Sequence, residues 1–368
     1  MNENCYGELK VIGMRGCEQF ADQVDYYLKK WRKSESTFIA DAHCPRFGSG
    51  EAKALINESM RGLDLYIISD CFNYGVTYKM YGMQVPMSPD DHYQDLKRII
   101  AATGGKTRRI SVIMPMLYEG RQHKRSARES LDCALALQEL TSMGVTNIIT
   151  FDAHDARVQN AIPLNGFDSV RPTYQMLKAL VKNVPDIKLD KDNLVVISPD
   201  EGAISRAMYI ASVVGIELGM FYKRRNYSIV VNGRNPIEAH EFLGNDVTGK
   251  DLIIVDDMIS SGDSLLDIAA QLKKKNCNRV FAFTTFGLFV EGYDKFDQYY
   301  NDGLIDKIFT TNLVYGTEEL MSKEWYQRVD MSKYVAYLID TINYDNSIST
   351  LLNPIDRIKN VIEKYNAK

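Results

Sequence analysis

The chain is expected to be an α/β protein built on doubly wound parallel sheets, and two observations carry that expectation. Short apolar runs recur along most of its 368 residues, and amphipathic segments of helical period separate them. Strand and helix alternating in this way argue for βαβ units. Leu65–Ser69, Ile110–Met114, Asn147–Phe151, Leu194–Ser198, Ile216–Phe221, Leu252–Val255 and Val280–Thr284 read as strands. A strand covered on both faces is apolar at successive positions, which is the pattern of these runs. Asp91–Ala102, Ser130–Thr141 and Ile204–Val214 read as helices between them. Asp155–Asp192 reads as a long connection between two sheets, and Asn343–Lys368 as one amphipathic helix after a short polar loop. The expected organisation is an N-terminal α/β domain over 1–165, a C-terminal one over 166–325, and a helical extension over 326–368.

Composition excludes some classes of function. A formal net charge of -4 leaves no basic footprint for nucleic acid. No apolar run approaches the ~18 residues of a membrane span, and no charged-then-apolar leader is seen. A cytoplasmic protein without membrane contact is expected. Its six cysteines (Cys5, Cys17, Cys44, Cys71, Cys133, Cys277) form no CxxC pair and have no histidine at ligand spacing. They read as buried or free thiols of a reducing compartment.

In doubly wound sheets ligands bind beyond the carboxyl ends of strands, so the residues that follow each strand carry the functional argument. Asp251–Ala269, DLIIVDDMISSGDSLLDIA, is the most informative stretch. The carboxylates Asp256 and Asp257 follow the strand, and Ser260, Ser261, Gly262 and Ser264 lead into a helix that begins at Leu265. A small-residue turn at a helix N-terminus offers backbone N–H groups and a positive dipole end to a phosphate. An adjacent acid pair suits sugar hydroxyls or a hydrated divalent cation. A sugar phosphate satisfies both; the plain alternative is a strand–turn–helix with solvated acids.

Other strand ends add charged groups. Asp152-Ala153-His154-Asp155 follows Phe151, and Pro199-Asp200-Glu201-Gly202 follows Ser198. A histidine and an aspartate at two strand ends suit Mg²⁺ or an oriented phosphate, although a capping Asp with a packed His gives the same pattern. Tyr222-Lys223-Arg224-Arg225 follows Phe221, placing cations where a transferring phosphoryl group develops charge; a solvated basic turn is the alternative. Arg121-Gln122-His123-Lys124-Arg125 is a second basic loop. Two basic loops, an acid pair and a DxH together point to a phosphate-handling enzyme.

From about Phe47 to Asn312 these segments, in order, resemble ribose-phosphate pyrophosphokinase, also called phosphoribosyl pyrophosphate synthetase. The resemblance implies two sheet domains of the type I phosphoribosyltransferase kind. RFGSGE is similar to the family's segment that flanks the adenine from a neighbouring subunit, which falls on Phe47 and Glu51. GRQHKR matches its ATP-contacting Arg-Gln, here Arg121 and Gln122. FDAHD resembles its Asp-Leu-His motif, which implies His154 as a magnesium ligand, and SPDEGAISRA implies Asp200 as the second, with Arg206 at that segment's arginine. YKRR matches the catalytic loop, so that Lys223 and Arg225 are the implied transition-state cations. VDDMISSGDS matches the ribose-phosphate loop, with Asp256 and Asp257 on the ribose hydroxyls and Ser260, Ser261, Gly262 and Ser264 around the 5-phosphate.

The implied reaction moves the diphosphoryl group of ATP to the C1 hydroxyl of ribose 5-phosphate for nucleotide biosynthesis, with Mg²⁺ as cofactor. The implied assembly is a homo-oligomer, dimer or hexamer. Two alternatives share part of the pattern: a phosphoribosyltransferase, which has the VDD loop but no need of Arg121, Gln122 or YKRR, and a non-catalytic regulatory paralogue of the synthetase. The chain also departs from the family. Its phosphate loop carries an acid at the fourth place, Asp263, where a Gly is usual, so that carboxylate is expected to point outward. Ala203 replaces a Gly, Phe286 replaces a His, and extra length lies before Phe47, around Asn73–Asp90 and near the C-terminus.

Overall fold

A computed structural model of the chain describes residues 5–225 and 237–366. They form two compact units. The first comprises Met1–Pro172, Asn312–Tyr315 and Asp330–Asn353; the second comprises Thr173–Thr311, Gly316–Val329 and Pro354–Lys368.

The first unit runs β1 (Glu8–Gly13), α1 (Glu18–Arg32), the two-residue partners β2 (Ala42–His43) and β3 (Leu55–Ile56), β4 (Leu63–Ile68), β5 (Thr77–Met80), β6 (Met83–Pro86), α2 (Pro89–Ala102), β7 (Arg109–Ile113), α3 (Asp132–Ser142), β8 (Asn147–Phe151) and β9 (Gly166–Val170). Among the described residues its main sheet is parallel, in the order β1-β4-β7-β8-β9. Ile39 bridges Val11 in parallel on the other side of β1, so the chain starts inside the sheet and winds outward both ways. Side chains alternate across a strand. Ile12, Leu65, Ile67, Val112 and Ile148 therefore pack with Leu96 of α2 and Leu137 of α3, while Val11, Tyr66, Ile149 and Phe151 are buried at the alternate positions. Ser88 starts α2 with a capping box to Asp91 and Pro89 in the first turn, two residues earlier than the sequence suggests.

The second unit runs α4 (Thr173–Asn183), β10 (Leu194–Ser198), α5 (Ile204–Val214), β11 (Glu217–Arg225), β12 (Ile237–Leu243), β13 (Asp251–Ile259), α6 (Asp263–Lys274), β14 (Val280–Gly287), α7 (Asp294–Asn301), β15 (Lys307–Thr311), α8 (Glu318–Ser322) and β16 (Tyr326–Val329). Its sheet has the order β12-β11-β10-β13-β14-β15-β16, antiparallel between β11 and β12 alone among the described strands. Leu252, Ile253 and Ile254 of β13 are fully buried, each contributing roughly 1.5–3 kcal/mol. Helix α6 covers one face through Leu265, Leu266, Ile268 and Leu272; α4 and α5 cover the other through Leu177, Leu180 and Ile210. Strand order reverses between β10 and β13, so the crevice of a doubly wound sheet opens at their carboxyl ends.

Three helices complete the chain: α9 (Ser332–Asn343), α10 (Ser349–Leu352) and α11 (Ile355–Asn366). Helix α9 lies with the first unit, where Arg109 forks onto the buried Asp64 (2.7 and 2.6 Å) and also donates to Ile342 O, and Asn343 donates to Asp64. Helix α11 lies with the second, where Ile358 enters the core. The single C-terminal helix expected from Asn343 onward is thus two. Pro354 lacks an N–H and pushes Asn353 out of helical backbone, which separates them.

The structure departs from the sequence reading elsewhere too. Asp155–Asp192 is not one connection: it holds the strand β9 and the helix α4. Gly166–Val170, GFDSV, has no apolar run because β9 is an edge strand and only Val170 is fully covered. Strand β11 continues four residues past Phe221 because β12 pairs with it, so YKRR is strand backbone and not a turn. Among the described residues no helix is long and apolar enough to cross a membrane.

Asp70, just beyond β4, holds the crossing segment of the first unit by accepting from the Phe72 (2.9 Å) and Tyr315 (2.8 Å) backbone N–H groups. Burial pushes its carboxyl up to about 6 despite those two donors. A carboxyl raised in this way holds its proton more tightly folded than unfolded. Its contribution to stability is therefore fully present below about pH 4 and is lost as the pH rises through about 6. Urea midpoints measured from pH 4 to 7 should show wild type losing roughly 2–3 kcal/mol over this window relative to Asp70→Asn. Parallel pH profiles for the two proteins would show that Asp70 is not the group responsible.

Candidate active site

In the second unit the switch point gathers acids. After β10, Asp200 turns its Oδ1 back onto the backbone N–H groups of Gly202 (2.9 Å) and Ala203 (3.2 Å), and Ser198 Oγ donates to Asp200 O. The carboxylate is thereby fixed at the start of α5. Ala203 has φ -86°, which needs no glycine, so the replacement noted in the sequence is free of strain.

Next to β10, β13 continues through Asp256 and Asp257 to Ile259, four residues beyond the expected end. Asp256 Oδ1 accepts from Asp257 N–H at 2.8 Å. Asp257 is buried and faces Arg206 of α5 at 3.6 Å; both side chains are nearly covered. Burial first, then the charges of Asp257 and Asp200, push the Asp256 carboxyl well above its ordinary range. The two acids therefore differ: Asp257 has its counter-ion inside the protein, whereas Asp256 is a carboxyl that a hydroxyl or a cation would relieve.

The small-residue loop follows directly. Ile259 O and Ser260 O accept from Leu288 (2.9 Å) and Val290 (3.0 Å) N–H groups, which ties the loop to the end of β14. Gly262 caps α6 with φ +88°, and a Cβ there would collide with the ring of Phe296. Phe296 is fully buried and stacked on Trp325, so it has nowhere to go. Asp263 does not face the loop's backbone: its carboxylate bonds Lys295 of α7 at 2.7 Å, and Lys295 also meets Glu291. Lys295, and to a lesser degree the Ser261 hydroxyl, hold Asp263 below its ordinary range. Serine hydroxyls and the first N–H groups of α6 are what this loop offers a ligand. Phe286, in β14, is buried against the sheet.

The basic motif has a defined backbone. Lys223 pairs with His240 and Arg225 with Ile237 across the antiparallel ladder, with an irregularity between Arg224 and Arg225. Side chains of Lys223 and Arg225 lie outside the described residues.

In the first unit the DxH motif and the GRQHKR loop come together. Asp152 takes a left-handed turn (φ 42°) after β8, its N–H bonding Val170 O. The His154 ring lies 5.2 Å from that of His123, inclined by 57°. His123 Nε2 sits 3.6 Å from Asp155 Oδ2, and Arg157 grips the same carboxylate (2.9 and 2.5 Å). Hydrogen bonds from Arg157 hold Asp155 well below the usual carboxylate range. In the sequence His123 is one member of a basic loop, and nothing there announces its contact with His154. Arg121 is exposed, while Gln122 uses its side chain on Ser130 O at 2.9 Å and so braces its own loop. Phe47 stands 54% exposed on a turn, and Glu51 is exposed and accepts from Ser49 Oγ.

Comparisons with known proteins agree with these two halves. Residues 9–144 match the family described as the N-terminal domain of ribose phosphate pyrophosphokinase, and residues 172–309 match the phosphoribosyl transferase domain. A ribose-phosphate pyrophosphokinase of Shewanella oneidensis is 30% identical over 319 residues, covering 86% of this chain and 91% of that one. The Pasteurella multocida enzyme of the same name is 30% identical over 87% of this chain and 94% of its own. In fold, the chain is similar to phosphoribosylpyrophosphate synthetase from Mycobacterium smegmatis, with a TM-score of 0.74 and 21% identity over 92% of this chain and all of that one. On these grounds, and on the architecture above, the chain belongs to the ribose-phosphate pyrophosphokinase family and is an enzyme of that family.

Proposed function

We propose that this enzyme transfers the β,γ-diphosphoryl group of ATP to the C1 hydroxyl of ribose 5-phosphate, giving AMP and 5-phosphoribosyl 1-pyrophosphate for nucleotide biosynthesis in the cytoplasm. The observation that supports it most is the second unit's switch point. There the half-buried Asp256 carboxyl adjoins a serine loop capped by left-handed Gly262, at the N-terminus of α6. Ribose hydroxyls would take Asp256 and Asp257, with Arg206 facing Asp257 from α5. The 5-phosphate would take Ser260, Ser261, Ser264 and the N–H groups around Gly262, with Asp263 turned aside onto Lys295. Phe47, Glu51, Arg121 and Gln122 of the first unit are assigned to ATP, with subunits sharing that site in a homo-oligomer. Lys223 and Arg225 would meet the charge that develops on the transferring group.

Mg²⁺ fits the donor chemistry. Among the described residues no group of three or more His, Cys, Asp or Glu is gathered for a metal. Mg²⁺ keeps most of its waters and takes one or two protein donors plus substrate phosphates, so it needs no such cage. His154 and Asp200 are the proposed donors, and the bound ion would neutralise phosphate charge. Little covalent chemistry falls to the protein, whose part is to position both substrates and to stabilise charge.

Two outcomes test this reading. ATP should yield AMP only when ribose 5-phosphate and Mg²⁺ are both present; cleavage to ADP would contradict it. His154→Ala and Asp200→Ala should each raise the Mg²⁺ concentration for half-maximal rate by at least about 10–100-fold, which is what loss of a ligand's outer-shell partner costs. An unchanged magnesium requirement in both would make these residues structural.

A further inference from the structure

Phe47 is a large apolar side chain displayed on an ordered turn, and the first unit commits several groups to keeping that turn fixed. Arg46 and Ala52 bridge antiparallel across it, Phe47 N–H donates to Glu51 O (2.7 Å), and Gly50 N–H donates to Phe47 O (2.9 Å). Beneath it Arg46 donates to Gly50 O (3.2 Å) and Asp95 (2.7 Å), and its guanidinium lies 4.8 Å from the centre of the Tyr78 ring. Tyr78 belongs to the hairpin β5–β6, inside the Asn73–Asp90 stretch of extra length.

The hairpin is itself well specified. Tyr81 and Gly82 both take positive φ (48° and 81°), the two-residue turn that matches strand twist, and Met87 N–H closes the base on Val76 O at 2.8 Å. It then reaches the Phe47 turn twice. Tyr81 N–H donates to Gly48 O at 2.8 Å, and Gly50 passes so close to Met80 that a Cβ would lie 2.8 Å from its sulfur. Tyr81 and Met83 at its tip are 77% and 60% exposed, extending the apolar surface that Phe47 begins.

We propose that the β5–β6 hairpin and Arg46 are positioning elements that hold the Phe47–Glu51 turn ready for the purine base of ATP. The inference rests on the reading of Phe47 and Glu51 as ATP contacts. A turn fixed before binding loses less conformational entropy when the base docks, so the hairpin acts on ATP affinity and not on the chemical step.

The experiment measures KM for each substrate in the full-length enzyme with Thr77–Pro86 replaced by a Gly-Asn link between Val76 and Met87, whose backbones already meet. The shortened enzyme should show KM for ATP raised roughly tenfold, the size of ordering costs for a few side chains, with kcat and KM for ribose 5-phosphate within about twofold. Phe47→Ala should raise KM for ATP similarly, and the two changes together should be less than multiplicative. If Phe47→Ala raises KM for ATP while the shortened enzyme does not, the brace is refuted and the ATP reading stands. If Phe47→Ala has no effect, the ATP reading of this turn falls, and the brace with it. Should the shortened chain lose its cooperative thermal transition, Arg46→Lys, which keeps the charge but not the fork, carries the same expectation. An unchanged KM for ATP there overturns the proposal.

Discussion

Lys223→Ala and Arg225→Ala are each expected to lower kcat on the order of 10²–10³-fold, or ~3–4 kcal/mol, with little change in equilibrium ATP binding. Both residues lie in β11 beyond Phe221, on a strand whose partner β12 pairs with it in antiparallel register. Phosphoryl transfer spreads negative charge over the moving group, and a preorganised cation is worth most when that charge is greatest. An interaction made only in the transition state lowers kcat and kcat/KM alike when removed. Arg224, flanked by both, should matter less. Near-normal turnover in either alanine variant would remove the catalytic role from this strand.

The second large effect is expected at Gly262. Any side chain there meets the buried Phe296 ring and must also adopt φ +88°, which costs an L-residue ~1–2 kcal/mol before the collision is counted. Gly262→Val should therefore displace the loop from the N-terminus of α6 and abolish measurable affinity for ribose 5-phosphate. Asp263→Gly should do the opposite of harm. The Asp263 carboxylate serves Lys295 on the exposed surface, and its removal takes a negative charge away from a dianion site. Ribose 5-phosphate affinity unchanged or improved in Asp263→Gly, and lost in Gly262→Val, supports the phosphate loop. A large loss in Asp263→Gly would mean that this carboxylate binds the sugar or a cation directly.

What was legible in the sequence followed from burial. Asn147–Phe151, Leu194–Ser198 and Ile204–Val214 coincide with β8, β10 and α5: the two strands are covered on both faces and read as largely apolar runs, and α5 shows buried positions at helical spacing. Elements with a solvent side gave no such signal. β1 opens with Glu8 and includes Lys10, β9 carries Asp168 and Ser169, and β12 is an edge strand, so none shows a continuous apolar run. The site divided along the same line. Strand-end motifs such as VDD and SPD are local and could be read directly. Asp263's partner Lys295, Asp257's partner Arg206 and His154's neighbour His123 are distant in sequence, and only the fold brings each pair together. Asp256 and Asp257 are equivalent as neighbours in sequence, yet the fold sets a buried arginine beside Asp257, while burial and the neighbouring acids push the Asp256 carboxyl up.

The most direct test of the central claim follows the phosphorus. With ATP labelled at its γ-phosphorus, Mg²⁺ and ribose 5-phosphate, the label should enter 5-phosphoribosyl 1-pyrophosphate in step with AMP, one for one. Label released as inorganic phosphate, or the absence of AMP while the protein couples a nucleobase to supplied 5-phosphoribosyl 1-pyrophosphate, would contradict it.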